Sequence, residues 1–130
     1  MDYHRQLLEH IKQDVHLTAT DEACISNRFK AKTLQKKEIL LYKGETSHHM
    51  RYIAKGCLRN YQIDDNGHER ILQFGIENWW LNDMYSFLTN SPARYFIQAL
   101  ENTVLLQIHR DDLETLFKEA PVMERFLRLK

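Results

Sequence analysis

Apolar side chains change their spacing twice along this chain. Leu7, Leu8, Ile11 and Val15 recur at the three- and four-residue steps of a helix that hides one face. Ala23, Cys24 and Phe29 extend the pattern behind a second helix start expected at Thr20 or Asp21, where a short polar side chain can cap free N–H groups. From Lys32 the helical period is lost. Residues 38–42, 51–55, 58–63 and 70–74 are short runs of β-formers, with Gly44, Gly56 and Gly67 marking the turns. Asp65-Asn66-Gly67 predicts a hairpin, because Asn and Gly accept the positive φ that a tight turn between twisted strands requires. Residues 95–99 and 104–109 make another pair across Glu101-Asn102. After His109 the helical period returns, with a start at Asp111 or Asp112 and with Leu113, Leu116 and Phe117 on one face. Pro121, pre-shaped for a first helical turn, opens a last helix whose stripe is Val122, Met123, Phe126, Leu127 and Leu129.

These elements predict a mainly β domain with flanking helices. Helices occupy 1–31, a β-roll of the sandwich or jelly-roll kind occupies 32–109, and further helices occupy 110–130. A chain of 130 residues suits one such domain with one core. The last helix stops in the middle of its stripe at Lys130, the pattern expected of a piece of a longer protein.

Charge and cysteines narrow the function. Eighteen Lys and Arg balance 18 Asp and Glu, so this piece lacks the basic field of a nucleic-acid binder, and contact with DNA would need another domain. Cys24 and Cys57 stand far apart with no CxxC, which signals neither a disulfide framework nor a thiolate metal cluster and fits a reduced cytoplasmic setting. The charged N-terminus has no signal-like apolar run and no window suggests a membrane span. No nucleophile, base and orienter can be assembled from neighbouring residues, so the chain does not read as an enzyme. His48-His49 raises a jelly-roll metal enzyme, but adjacent strand residues face opposite ways and a metal site there wants His-x-His. Trp79-Trp80 reads as packing, one ring inward and one outward, with an aromatic cage as the alternative.

The remaining motifs carry a resemblance. Lys43-Gly44-Glu45, YIAKGCLRNY at 52–61, DDNGHERIL at 64–72, ENWWLNDMYSFL at 77–88 and HRDDLETLF at 109–117 follow the order found in the cyclic nucleotide-binding sensor domain of Crp/Fnr-type transcription regulators. The chain resembles that family from about Ile25 onward. The resemblance implies a double-stranded β-helix (jelly roll) and a phosphate-binding cassette between residues 74 and 108, reading Gly-Glu, a short helix, then Arg and Ser or Thr.

Asn82-Asp83 stands at Gly-Glu, which makes Asp83 the counterpart of the residue that meets a ribose hydroxyl, while Asn82 brings a side chain where glycine lets backbone approach. Arg94 is the candidate for a cyclic phosphate, through two parallel charge-assisted hydrogen bonds. Counted back from Ile108, however, Ala93 falls on the arginine position and Arg94 one residue later, and a one-residue slip turns a side chain to the other face unless slack at Pro92 restores the aim. Met84 and Ser91 complete the candidate ligand set. Capping of the short helix is the alternative role of Asp83, and that of Arg94 is a solvated loop residue.

The resemblance also implies a homodimer through the last helix, with Val122, Phe126 and Leu129 against a second copy, and DNA contact only through a domain beyond this chain. Three readings follow. The first is a sensor of cAMP or a related small anion, with no other cofactor. The second is a degenerate sensor, its pocket empty or self-filled, acting as a dimerisation module. The third is a metal-dependent enzyme.

Overall fold

Two capped helices lead the chain in the computed structural model, which describes residues 2–129. α1 (Tyr3–Lys12) begins where the Asp2 carboxylate accepts the Arg5 N–H. α2 (Ala19–Arg28) begins at Thr18, whose hydroxyl accepts the Asp21 N–H while the Asp21 carboxylate accepts the Thr18 N–H. This reciprocal box starts the helix ahead of the expected Thr20 and uses Asp21 inside the first turn. Phe29, fully buried, ends α2 rather than lying within it.

The strands follow as β1 (Lys30–Leu34), β2 (Ile39–Leu41), β3 (His49–Lys55), β4 (Leu58–Ile63) and β5 (Glu69–Gly75), then β6 (Phe96–Ala99) and β7 (Thr103–His109) after the short helix α3 (Met84–Thr89). α4 (Arg110–Glu119) and α5 (Val122–Arg128) close the described chain. The strands form two antiparallel sheets, β1-β7-β3 and β2-β6-β4-β5, and the architecture is the expected jelly roll with flanking helices. β1 escaped the sequence pattern because only Leu34 of Lys-Ala-Lys-Thr-Leu is buried. Its exposed lysines suit a sheet edge, where charge discourages pairing with another chain.

The hairpin between β4 and β5 is present, but its turn is wider than a two-residue loop. The Asp64 carboxylate accepts the N–H groups of Asn66 and His68, and Gly67 takes the positive φ. The β3–β4 turn is tighter: a side chain at Gly56, whose φ is +103°, would bring its Cβ within 2.8 Å of the Asn102 carbonyl at the mouth of β7.

Each face of the three-stranded sheet meets a different core. Met50, Tyr52 and Ala54 of β3 and Leu106 and Ile108 of β7 pack under the helices against Leu7, Ile11, Ile25, Leu116 and Phe126. The alternate residues Ile53 and Leu105 face the other sheet and join Leu34, Leu41, Leu58 and Ile97 between the sheets.

The last helix departs from expectation. Phe126 is fully buried in the chain's own core, edge-on to His10 and Trp80, and Val122 packs on the same cluster. Only Leu129, 63% exposed, faces outward. Of the three residues expected to meet a second copy, Val122 and Phe126 thus pack on the chain's own core and Leu129 is exposed.

Candidate functional site

The segment entering α3 is laid along β3 by its backbone. Ile53 donates to the Trp79 carbonyl, Asn78 to that of Ile53 and Leu81 to that of Arg51, which delivers Asn82 and Asp83 to one end of the roll. Asp83 then caps α3. Its Oδ1 accepts the Ser86 N–H at 3.1 Å and its Oδ2 accepts the Arg94 N–H at 2.7 Å, and the residue is 1% exposed. Each oxygen thus holds a backbone N–H, and Asp83 fills the capping role weighed from sequence as its alternative. Ser91 contributes through its carbonyl, which accepts the Ser86 hydroxyl at 2.6 Å, while its own hydroxyl meets Thr89.

Arg94 lies outside the roll. Ala93 is clamped by the turn after β2, donating to the Glu45 carbonyl at 2.6 Å and accepting the Gly44 N–H at 2.8 Å, with Thr46 bridged to Pro92. These bonds remove the slack that could have re-aimed the next residue. Ala93 is buried between the sheets, and the Arg94 guanidinium lies over the rings of Tyr85 at 4.6 Å and Tyr95 at 5.3 Å. Met84, 42% exposed, turns away from Asn82 and lines a groove of about 240 Å³ between α3, α4 and α5 with Phe87, Leu113 and Phe117.

Of the residues that do converge at this end, Asn82 was a candidate from sequence, whereas Arg51 and Ser47 were not singled out. Arg51 of β3 is 5% exposed, and its Nη1 donates to Ser47 Oγ at 3.0 Å and to Asn82 Oδ1 at 2.6 Å. The Ser47 hydroxyl donates to the same Asn82 oxygen, and Asn82 Nδ2 donates to the His49 carbonyl. Asn82 is the hub that binds the start of α3 to β3. Burial pulls the Arg51 guanidinium down to about 10, opposed by Glu45, so it stays charged at neutral pH. The available signal was an arginine in the middle of the otherwise apolar Met50–Ala54 run.

Basic groups surround it. The His49 ring stands edge-on to His109 at 5.3 Å, and His48 stacks on His109 at 6.0 Å. Burial, and then Arg51, His109, His48 and Lys32, pull His49 down to about 4 from its ordinary 6.5. Between those values the unfolded chain binds a proton at this position and the folded one does not. The contribution of His49 is therefore complete above pH 6.5 and is lost as pH falls through 4. Urea unfolding of the wild type should weaken across this window, and a His49→Gln variant should weaken less. Equal slopes would show that His49 titrates alike in both states.

Among the described residues no group of three or more His, Cys, Asp or Glu is set to hold a metal ion, and no helix is long and apolar enough to cross a membrane. The tryptophans split as expected. Trp79 is 46% exposed, whereas Trp80 packs against Tyr52, Phe29 and Phe126 and donates to His10 Nε2 at 3.2 Å.

Comparison with known proteins places this arrangement. The family model described as "Cyclic nucleotide-binding domain" matches residues 31–120. The chain is 29% identical over 101 residues, 75% of its length, to the "Anaerobic regulatory protein" of Haemophilus influenzae, of which the match spans only 38%. Its fold superposes on the catabolite activator protein of Thermus thermophilus with a TM-score of 0.77 at 21% identity, covering 92% of this chain and 55% of that one. A cyclic nucleotide-binding domain from Methylobacillus flagellatus superposes at 0.82 with 15% identity, covering 96% and 71%.

Proposed function

The chain belongs to the cyclic nucleotide-binding domain family, and from that premise we propose that it is the effector-sensing domain of a Crp/Fnr-type transcription regulator whose effector is a small anion other than a cyclic nucleotide. The observation that carries this reading is the split of the cassette. Its frame is kept, with Asp83 tying α3 to the backbone of Arg94, while the guanidinium that would take a cyclic phosphate lies on tyrosine rings outside the roll. A ribose would also find the Asp83 carboxylate 1% exposed behind the backbone N–H groups it already holds. The names of the curated relatives support the regulatory role. DNA contact and homodimerisation then belong to parts beyond α5, with α5 relaying the state of the roll.

A second reading has its own observation. Away from Arg51, the space between the sheets is filled by aliphatic side chains, as expected of a self-filled roll that serves as a dimerisation or interaction module.

Calorimetric titration of the chain with cAMP and cGMP to millimolar concentration tests the main reading. No saturable heat is expected. Saturable binding that disappears in Arg94→Ala would overturn the proposal and restore the cyclic nucleotide as effector.

A further inference from the structure

We propose that the end of the roll at Arg51 is a binding site for a small oxyanion, a phosphate or carboxylate group carrying no nucleoside. The inference rests on the effector-sensing reading and names the ligand class and the residues for it.

Arg51 is a buried cation without a directly bonded counter-charge, the Glu45 carboxylate acting on it only from a distance. Among the described residues no carboxylate forms an ion pair with it, and its only strong acceptors are the neutral oxygens of Ser47 and Asn82. Taking a guanidinium out of water is costly unless an anion or several hydrogen bonds offset the loss. Both bonds come from Nη1. Among the described residues Nε is buried with no hydrogen-bond partner, and neither bond uses Nη2. Those two nitrogens form the edge of the guanidinium that presents parallel N–H groups to two oxygens of one carboxylate or phosphate. Ser47 and Asn82 hold the opposite corner, so this edge is fixed in place before a ligand arrives.

The surroundings have the matching polarity. Gln107 sits directly across from Arg51 in the β3–β7 pair and faces the same way, and strand alternation turns Asn60 of the other sheet into the same interior. Each of these amides has a buried oxygen without a partner, and turning the amide over would present an N–H₂ donor. Arg110 closes the site from α4, donating to the Ser47 carbonyl at 3.1 Å. His49 is held neutral by burial first and by these cations second. The rest of the interior is aliphatic, which suits a compact anion and leaves nothing to receive a base.

The test follows the Arg51 side chain by its Nε–Hε resonance, assigned by its loss in Arg51→Lys, during titration with sodium phosphate, with sodium acetate and with cAMP, at ionic strength matched by sodium chloride. A saturable shift with phosphate or acetate is expected, the stronger of the two identifying the oxyanion geometry, and Arg51→Met should weaken that binding by about tenfold or more in calorimetry. Arg51→Lys keeps the charge without the fork and should fall between. If Arg51→Met does not fold, the wild-type resonance still decides. Shifts that only track ionic strength overturn the inference. Should cAMP alone bind, with affinity unaffected in Arg51→Met, the oxyanion site falls and the sensing role stands with a cyclic nucleotide as its effector. Should nothing bind, both fall.

Discussion

Replacing Asp83 by alanine is expected to lower the unfolding free energy by about 3 kcal/mol, summing a lost helix cap with a charge-assisted bond to a second backbone donor. The residue is almost fully buried, and its oxygens serve the N–H groups of Ser86 and Arg94. Removing the carboxylate would leave both donors without that acceptor and release the loop that returns to β6. Asp83→Asn keeps one acceptor and should lose roughly half as much. Chemical denaturation of the three proteins measures the difference. A loss under ~1 kcal/mol for Asp83→Ala would mean that water replaces the carboxylate and that the cassette frame is looser than its hydrogen bonds imply.

A still larger effect is expected at Phe126. Phe126→Ala should cost about 4 kcal/mol, because it empties a fully buried site lined by Trp80, His10 and the α1 side chains. Leu129→Ala, on the same helix but exposed, should stay within about 0.5 kcal/mol. Denaturation alongside sedimentation separates the two possible roles of the stripe. A Phe126→Ala chain that keeps its stability but changes its self-association would restore the interface expected from sequence.

How much the sequence discloses depends on the scale of the pattern involved. Strands β3, β4 and β7 announce themselves through short β-rich apolar runs, and the Asn66-Gly67 turn through its backbone demands. β1 does not, since an edge strand with lysines on it has no buried face to betray. The start of α2 is misplaced because Thr18, Thr20 and Asp21 are all good caps, and the reciprocal Thr18–Asp21 box, a local feature, selects Thr18. At the site, the one-residue offset between Ala93 and Arg94 is visible in the string. Its outcome is not, because it is fixed by Gly44 and Glu45, far away in sequence. Arg51 stayed hidden for a related reason. A charged residue in a strand declares which face it occupies only once the opposite sheet and Asn82 have closed over it. The apolar stripe of α5 was legible as burial but not as burial against what, since α1 and Trp80 compete with a second copy for the same surface.

Trp80 gives the domain a built-in optical gauge. Its indole touches α1 through His10, the roll through Tyr52 and the last helix through Phe126, so no two of these bodies can shift without altering what surrounds it. Its neighbour Trp79 emits from the solvent side and serves as an internal reference. A relay from roll to α5 would therefore be written into the colour of the chain's own emission.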